Sequence, residues 1–312
     1  MSEQSKLGDL FGAVLDAPQS MLIKFVDGKT TTKSVVGIPF IGKSTLAHDC
    51  KDFIRDNRSD FFSIYLTMHA FKSSSDFCKG FYDEICAEII KNDVPEDVDF
   101  IEEESEQKVV FKIRSLLETV KRKHGKCCVV LLDHFDAVIE VESSDYIIRV
   151  LRQLVDRGRE HGAKFVFFSR RELANIEYDV LTSSIFGITG KPVYIRPMEM
   201  SAELLATLGT DVCHVAGGHP YLSELAEDRL DDMGAAAIDA VYEKIFDALT
   251  EDFLDNEQDE KLLAQRMRDH LERLGVWRRS ASGAAFFSEG FGEYFTCRMA
   301  QTSGNEILGL LE

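Results

Sequence analysis

The chain has 312 residues, 45% apolar and 29% charged, a globular composition long enough for about two domains and a sizeable core. Lys plus Arg number 36 against 54 Asp plus Glu, and the formal charge of −18 repels nucleic acid and anionic lipid at long range, so contact with either would have to be local. Seven cysteines without a Cys-x-x-Cys pair exclude a disulfide scaffold and a zinc site, and no apolar run reaches the roughly 18 residues of a membrane span; with a start that lacks a leader pattern, this predicts a protein of the reducing cytoplasm.

Short apolar runs at Met21–Val26, Lys33–Gly37, Phe61–Leu66, Cys127–Leu132, Lys164–Phe168 and Val193–Ile195 read as strands. Helix-period segments fall between them, at Ser44–Asp56, Ser75–Lys91, Ser105–Lys123 and Asp145–His161. This alternation predicts an α/β fold with a parallel sheet, whose buried strands run continuously apolar as CCVVLLD and KFVFFS do. The acidic stretch EDVDFIEEESE (96–106) reads as a solvated surface insertion. Past Ile195 helices dominate: Ser201–Leu208, Asp211–Val215, Pro220–Met233 and Ala236–Leu249. The helix Asp259–Leu274, two short strands around Ser280–Gly283 and a helix at Glu289–Thr296 suggest a winged-helix module. The expected organisation is an α/β domain over 1–197, a helical lid over 198–250 and a winged-helix-like module over 251–312.

Gly37-Ile-Pro-Phe-Ile-Gly42-Lys43-Ser44 matches the phosphate-loop pattern G-x-x-x-x-G-K-[ST] in full. Its glycines let backbone N–H groups curl towards phosphate oxygens. Lys43 adds a point charge, the Ser44 hydroxyl reaches Mg²⁺, and the helix that starts there turns its positive end to the anion. A chance match in a chain of this length has a probability of about 0.01, and the strand before it and helix after it sharpen the reading.

Cys127–Asp133 is an apolar strand that ends in a carboxylate, the place from which an Asp holds the Mg²⁺ shell in phosphate-loop NTPases. His134 follows where many such enzymes carry a Glu that orients the attacking water. Two readings stand: crippled hydrolysis, or an unusual site in which His134 or Asp136 acts as the base. A separate metal centre of Asp133, His134 and Asp136 is the minor alternative. Ser169-Arg170-Arg171 closes another buried strand; one arginine would neutralise the γ-phosphate in cis or across an oligomer interface, or both would be solvated helix caps.

GIPFIGKSTL, VVLLDHFD, FVFFSRR, YIRPMEMSAELLATL and Ala216-Gly-Gly-His219-Pro220-Tyr-Leu together resemble a STAND-type NTPase related to AAA+ proteins, in its archaeal-ATPase-like branch. The resemblance spans roughly residues 20–295. It implies a P-loop NTPase sheet with a helical lid and a C-terminal winged helix. It also implies ATP and Mg²⁺ as cofactors, with Gly37, Ile41, Gly42, Lys43, Ser44 and Thr45 around the phosphates, Ser44 and Asp133 on the metal, and Pro220 near adenine. The sequence departs from the family at His134 and in lacking a Phe-x-Gly-Arg segment within residues 1–32.

Residues 261–298 carry seven basic and four acidic side chains, +3 within a −18 chain, and Arg278 and Arg279 precede the hairpin tip. Specific DNA modules have a denser basic face. The expectation is a wing that faces protein, with Trp277, Phe286, Phe287, Phe291 and Phe295 as its packing surface. The reading is thus an ATP-dependent switch with slow hydrolysis, a homo-oligomer or the holder of a protein partner, with no membrane contact. A nucleotide-locked adaptor and a DNA-binding regulator are the alternatives.

Overall fold

The computed structural model describes residues 3–91, 105–180, 191–199, 201–228, 232–251, 253, 260–280 and 283–302. The acidic stretch lies outside them except for Ser105 and Glu106, as do residues 281–282 of the hairpin tip and residues 229–231 of the predicted helix Pro220–Met233, whose last two residues belong to the next helix. The chain divides into two compact units, one of Pro18–Val36 and Lys43–Val193, the other of Met1–Ala17, Gly37–Gly42 and Tyr194–Glu312.

Five strands form a parallel sheet: β1 (Thr32–Gly37), β2 (Phe61–Thr67), β3 (Cys127–Asp133), β4 (Ala163–Ser169) and β5 (Val193–Ile195), in the order β2-β3-β4-β1-β5. Each lies within a residue or two of its predicted run. In the first unit β2, β3 and β4 pair in register, with Thr67 opposite Asp133 and Leu132 opposite Phe167. Their carboxyl ends therefore lie side by side. β3 is buried from Cys128 to Asp133, which is why its sequence has no polar alternation. Helices α2 (Lys43–Asn57), α3 (Ser74–Lys91), α4 (Glu106–His124), α5 (Ser144–Asp156), α6 (Gly158–His161) and α7 (Leu173–Val180) belong to this unit. Phe77, Phe81, Ile113, Phe135, Leu151 and Phe165 are among the side chains fully buried in its core, each contributing about 1.5–3 kcal/mol of apolar burial.

One strand expectation is overturned. Met21–Val26 lies in a helix, α1 (Glu3–Asp27), and not in a strand. Leu22, Phe25 and Val26 are buried while Met21 is exposed, a spacing of three and four that fits one helix face and not a pleated strand. The predicted helix Asp145–His161 is broken at Arg157 into α5 and α6.

In the second unit α8 (Ala202–Leu208), α9 (Thr210–Ala216), α10 (Pro220–Asp228) and α11 (Asp232–Thr250) follow β5. The Ser201 hydroxyl caps α8 by accepting the Leu204 N–H at 3.1 Å. The antiparallel hairpin of β6 (Trp277–Ser280) and β7 (Gly283–Phe286) lies between α12 (Glu260–Arg273) and α13 (Glu289–Thr302). Phe291 and Phe295 are fully buried, with Tyr242 edge-on to Phe291 and Phe246 edge-on to Phe295. The aromatic surface expected of this module thus packs on the helices before it in sequence.

Candidate functional site

Gly37 ends β1, and a Cβ there would stand 2.7 Å from the Ile41 side chain. Gly42 takes φ +101°, a conformation closed to most side chains. Gly42 is therefore required by its backbone conformation and Gly37 by the closeness of the Ile41 side chain. The chain then enters α2 at Lys43, whose first turn carries Ser44 and the exposed Thr45; Ile41 is buried. Lys43 is itself 7% exposed. Burial pushes its ammonium down to about 8, against the pull of Asp136 and Asp133 and with the push of Arg170. An anion beside it would restore the charged form.

Asp133 ends β3 fully buried. Its Oδ1 accepts the His134 backbone N–H at 2.8 Å, and its Oδ2 accepts the Tyr65 hydroxyl at 2.7 Å. Tyr65 is also hydrogen-bonded to the Ser44 side chain, so one phenol joins the two groups expected around a metal. A hydroxyl and a carboxylate are hard oxygen donors of the kind Mg²⁺ takes. The residues present fit that ion. Among the described residues no group of three or more His, Cys, Asp or Glu is arranged to hold a metal by itself.

His134 adopts a left-handed backbone, φ +51°, where the chain leaves β3 for a 3-10 turn at Phe135–Glu140. Its Nδ1 lies 3.4 Å from Asp133 Oδ2 and from the Thr67 hydroxyl, and its ring is 4.7 Å from that of His69. Burial lowers the imidazole's pKa, Asp133 opposes this and His69 reinforces it, so the ring is neutral near pH 7. Asp136 is buried within the 3-10 turn and accepts from both the Arg170 backbone N–H, at 3.0 Å, and the Arg170 Nε. Burial alone would raise its carboxyl; Arg170, with Lys43 behind it, outweighs burial and holds it below the ordinary range. Arg171 turns elsewhere, pairing with Asp179 at 2.6 Å. The structure thus gathers Lys43, Ser44, Asp133, His134, Asp136 and Arg170 and leaves Arg171 in the α7 region. Tyr65, Thr67 and His69 are additions. Their signal lay in strand order: β2 neighbours β3, so its last residues share an edge with Asp133.

The crown of the loop, Gly37–Gly42, belongs to the second unit and is held there by side chains of the same unit. His219 is fully buried and its Nε2–H donates to the Pro39 carbonyl at 3.0 Å, while its Nδ1 accepts the Leu222 N–H at 3.4 Å, which settles the tautomer. Phe40, at φ +61°, stacks on Tyr221 with centroids 5.0 Å apart, and the Lys244 ammonium lies 5.3 Å from the Phe40 ring. Pro220 is half-buried at the start of α10, between these two contacts in sequence. At the hairpin, Arg278 donates to the Pro197 carbonyl at 2.9 Å and lies 3.6 Å from Glu199; burial lowers its pKa.

The fold, with its glycine loop between β1 and α2, is that of a P-loop NTPase. No protein-family model and no curated relative matches the chain. Among solved structures, the Walker-type ATPase PABY2304 of Pyrococcus abyssi superposes with a TM-score of 0.55 over 90% of this chain and 95% of that one, at 12% identity. The ORC1 protein of Aeropyrum pernix, solved in complex with DNA, gives 0.47 over 96% of this chain and 81% of that one at 14% identity. Cdc6p of Pyrobaculum aerophilum gives 0.42 over 90% and 87% at 12% identity. No helix among the described residues is long and apolar enough to cross a membrane.

Proposed function

We propose that this chain binds ATP with Mg²⁺ at residues 37–45 and works as a nucleotide-dependent switch with slow hydrolysis. The observation that carries this reading is the buried Lys43 ammonium beside Asp133, Asp136 and Arg170, directly after a loop in which Gly42 is fixed by its backbone and Gly37 by its packing. Lys43 and the loop N–H groups bind and orient the β- and γ-phosphates. Mg²⁺, held by Ser44 and Asp133, would neutralise phosphate charge. His134 presents a neutral imidazole where a carboxylate would hold water by charge, and turnover is slow for that reason. Arg170, anchored by Asp136, is the cation available to a γ-phosphate. Pro220 belongs to the base side of the nucleotide, and the His219–Pro39 and Tyr221–Phe40 contacts carry changes in the loop to the lid helices.

Partner contact is proposed for the helices and hairpin past residue 198, with a second copy or another protein as the occupant. A DNA-reading wing is the weaker reading, because Arg278 is spent on the chain's own Pro197 and Glu199. The setting proposed is the cytoplasm, in keeping with seven cysteines that are all free. Calorimetry of ATP·Mg²⁺ with the native chain and with Lys43→Ala tests the reading: binding should be lost in the variant while its circular dichroism is unchanged. Equal affinity in the two would refute it, and native turnover of about 10 per second or more, an ordinary enzyme rate, would refute slow hydrolysis.

A further inference from the structure

The sheet unit has a second recess, at the opposite end of the strands from Asp133. A cavity of about 300 Å³ opens where β3 and β4 begin, beside Cys127 and Ala163, and next to Thr31, which precedes β1. Its charged lining is Lys29, Lys121, Arg159 and Lys164, and among the described residues no carboxylate lines it. In a chain of charge −18 four cations around one small cavity are a marked local reversal. Of the acids nearest in sequence to its walls, Asp27 pairs with Arg58 and Glu118 with His161, and Glu160 follows Arg159 directly.

Backbone carbonyls position three of the four cations. Lys164 donates to the carbonyls of Phe25 at 3.0 Å and Gly28 at 2.6 Å, Lys121 to those of Arg159 and Glu160, and Arg159 Nε to that of Lys29 at 3.1 Å. Carbonyl dipoles hold an ammonium in place and cancel none of its net charge, so the field of the recess stays positive. Two glycines let the walls of the recess close up on one another. A Cβ on Gly158 would stand 2.7 Å from the Ala163 carbonyl and 3.1 Å from Thr31, and one on Gly162 would stand 2.7 Å from the Lys121 stem. The methylene stems of the lysines and the Cys127 side chain supply apolar surface below the charged rim.

We propose that this recess is a binding site for a small organic phosphate, with the dianion at the four cations and a compact apolar or sugar body against the stems. The volume is at the low end of known ligand pockets, enough for one ring and one phosphate. The proposal does not depend on the nucleotide reading, and its test is made on full-length Lys43→Ala protein so that the phosphate loop contributes nothing. Phenyl phosphate is the probe, followed by calorimetry and by the midpoint of thermal unfolding. Saturable binding and a raised midpoint are expected, with no response to phenol. Lys29→Glu with Arg159→Glu, both on exposed side chains, should weaken binding at least about ten-fold by placing two negative charges at the rim. Lys29→Glu alone serves if the pair does not fold. Absence of saturation at about 10 mM probe, equal binding of phenol, or an affinity untouched by the charge reversals would overturn the proposal.

Discussion

Lys43 is a buried cation whose acid form is disfavoured until an anion arrives, and this makes the proposed nucleotide affinity a function of pH. The free chain releases the Lys43 proton near pH 8; bound phosphate stabilises the charged form and pulls the proton back. Affinity is then full below 8 and falls as pH rises above it, and calorimetry at pH 9 in buffers of different ionisation heat should show proton uptake on binding. Proton-neutral binding there would contradict this coupling. His134 titrates on the other side, below its usual 6.5. If its neutral ring assists water, kcat/KM for phosphate release rises through that range, is level near 7 and falls near 8. His134→Glu should raise the rate by about ten-fold or more, towards the lower end of general-base effects of about 10²–10⁴; an unchanged or lower rate means that position 134 does not limit turnover. Tyr65→Phe removes the donor from Asp133 Oδ2 and the link to Ser44, and Mg²⁺ dependence measured by calorimetry should shift while nucleotide binding without metal stays the same.

At the scale of elements, the segment Gly217–Tyr221 matters through its backbone as well as its side chains. Gly217 lies at φ +54° with the Phe287 carbonyl 2.0 Å from where a Cβ would be, and Gly218 lies as close to the Met198 carbonyl at 2.2 Å. Gly217→Ala should lower stability by about 2 kcal/mol or more through strain and overpacking, read as a drop in the thermal midpoint; a midpoint within a degree of native would show that the turn relaxes freely. His219→Ala leaves the Pro39 carbonyl without its donor, and the expected result is weaker ATP affinity with α10 still folded. Such contacts were illegible in the sequence because Pro39 and His219 are 180 residues apart. The strands, by contrast, were legible nearly to the residue, since a doubly covered strand must be apolar along its whole length. Met21–Val26 misled for the same reason: a short apolar run on a helix face and a buried strand have the same composition.

For the whole molecule, partner contact past residue 198 is expected, with little left to bind DNA because Arg278 is engaged by Pro197 and Glu199. Removing residues 259–312 should uncover Phe246, Tyr242 and Phe287's partners, which are buried against this segment, and should alter ATP-dependent assembly seen by sedimentation while duplex retention changes little. Tight duplex binding at 150 mM salt that disappears with Arg278→Ala and Arg279→Ala would reverse the assignment, because each phosphate neutralised adds about 0.9 to the salt slope and such affinity needs several.

The sequence alone determined the parallel α/β architecture, the phosphate loop and the carboxylate that ends β3, because each is a local pattern: continuous apolar runs, glycines spaced for a tight loop, and a charged residue at the end of a buried strand. Tertiary structure decided which side chains meet those residues. Tyr65 reaches Asp133 because β2 lies beside β3, Arg170 reaches Asp136 while its neighbour Arg171 turns to Asp179, and His219 reaches Pro39 across the chain. The recess at the far end of the sheet likewise draws its cations from stretches that the sequence keeps apart, around Lys29, Lys121 and Arg159–Lys164. Strand order and the direction of a side chain are products of packing, and packing joins residues that sequence keeps apart.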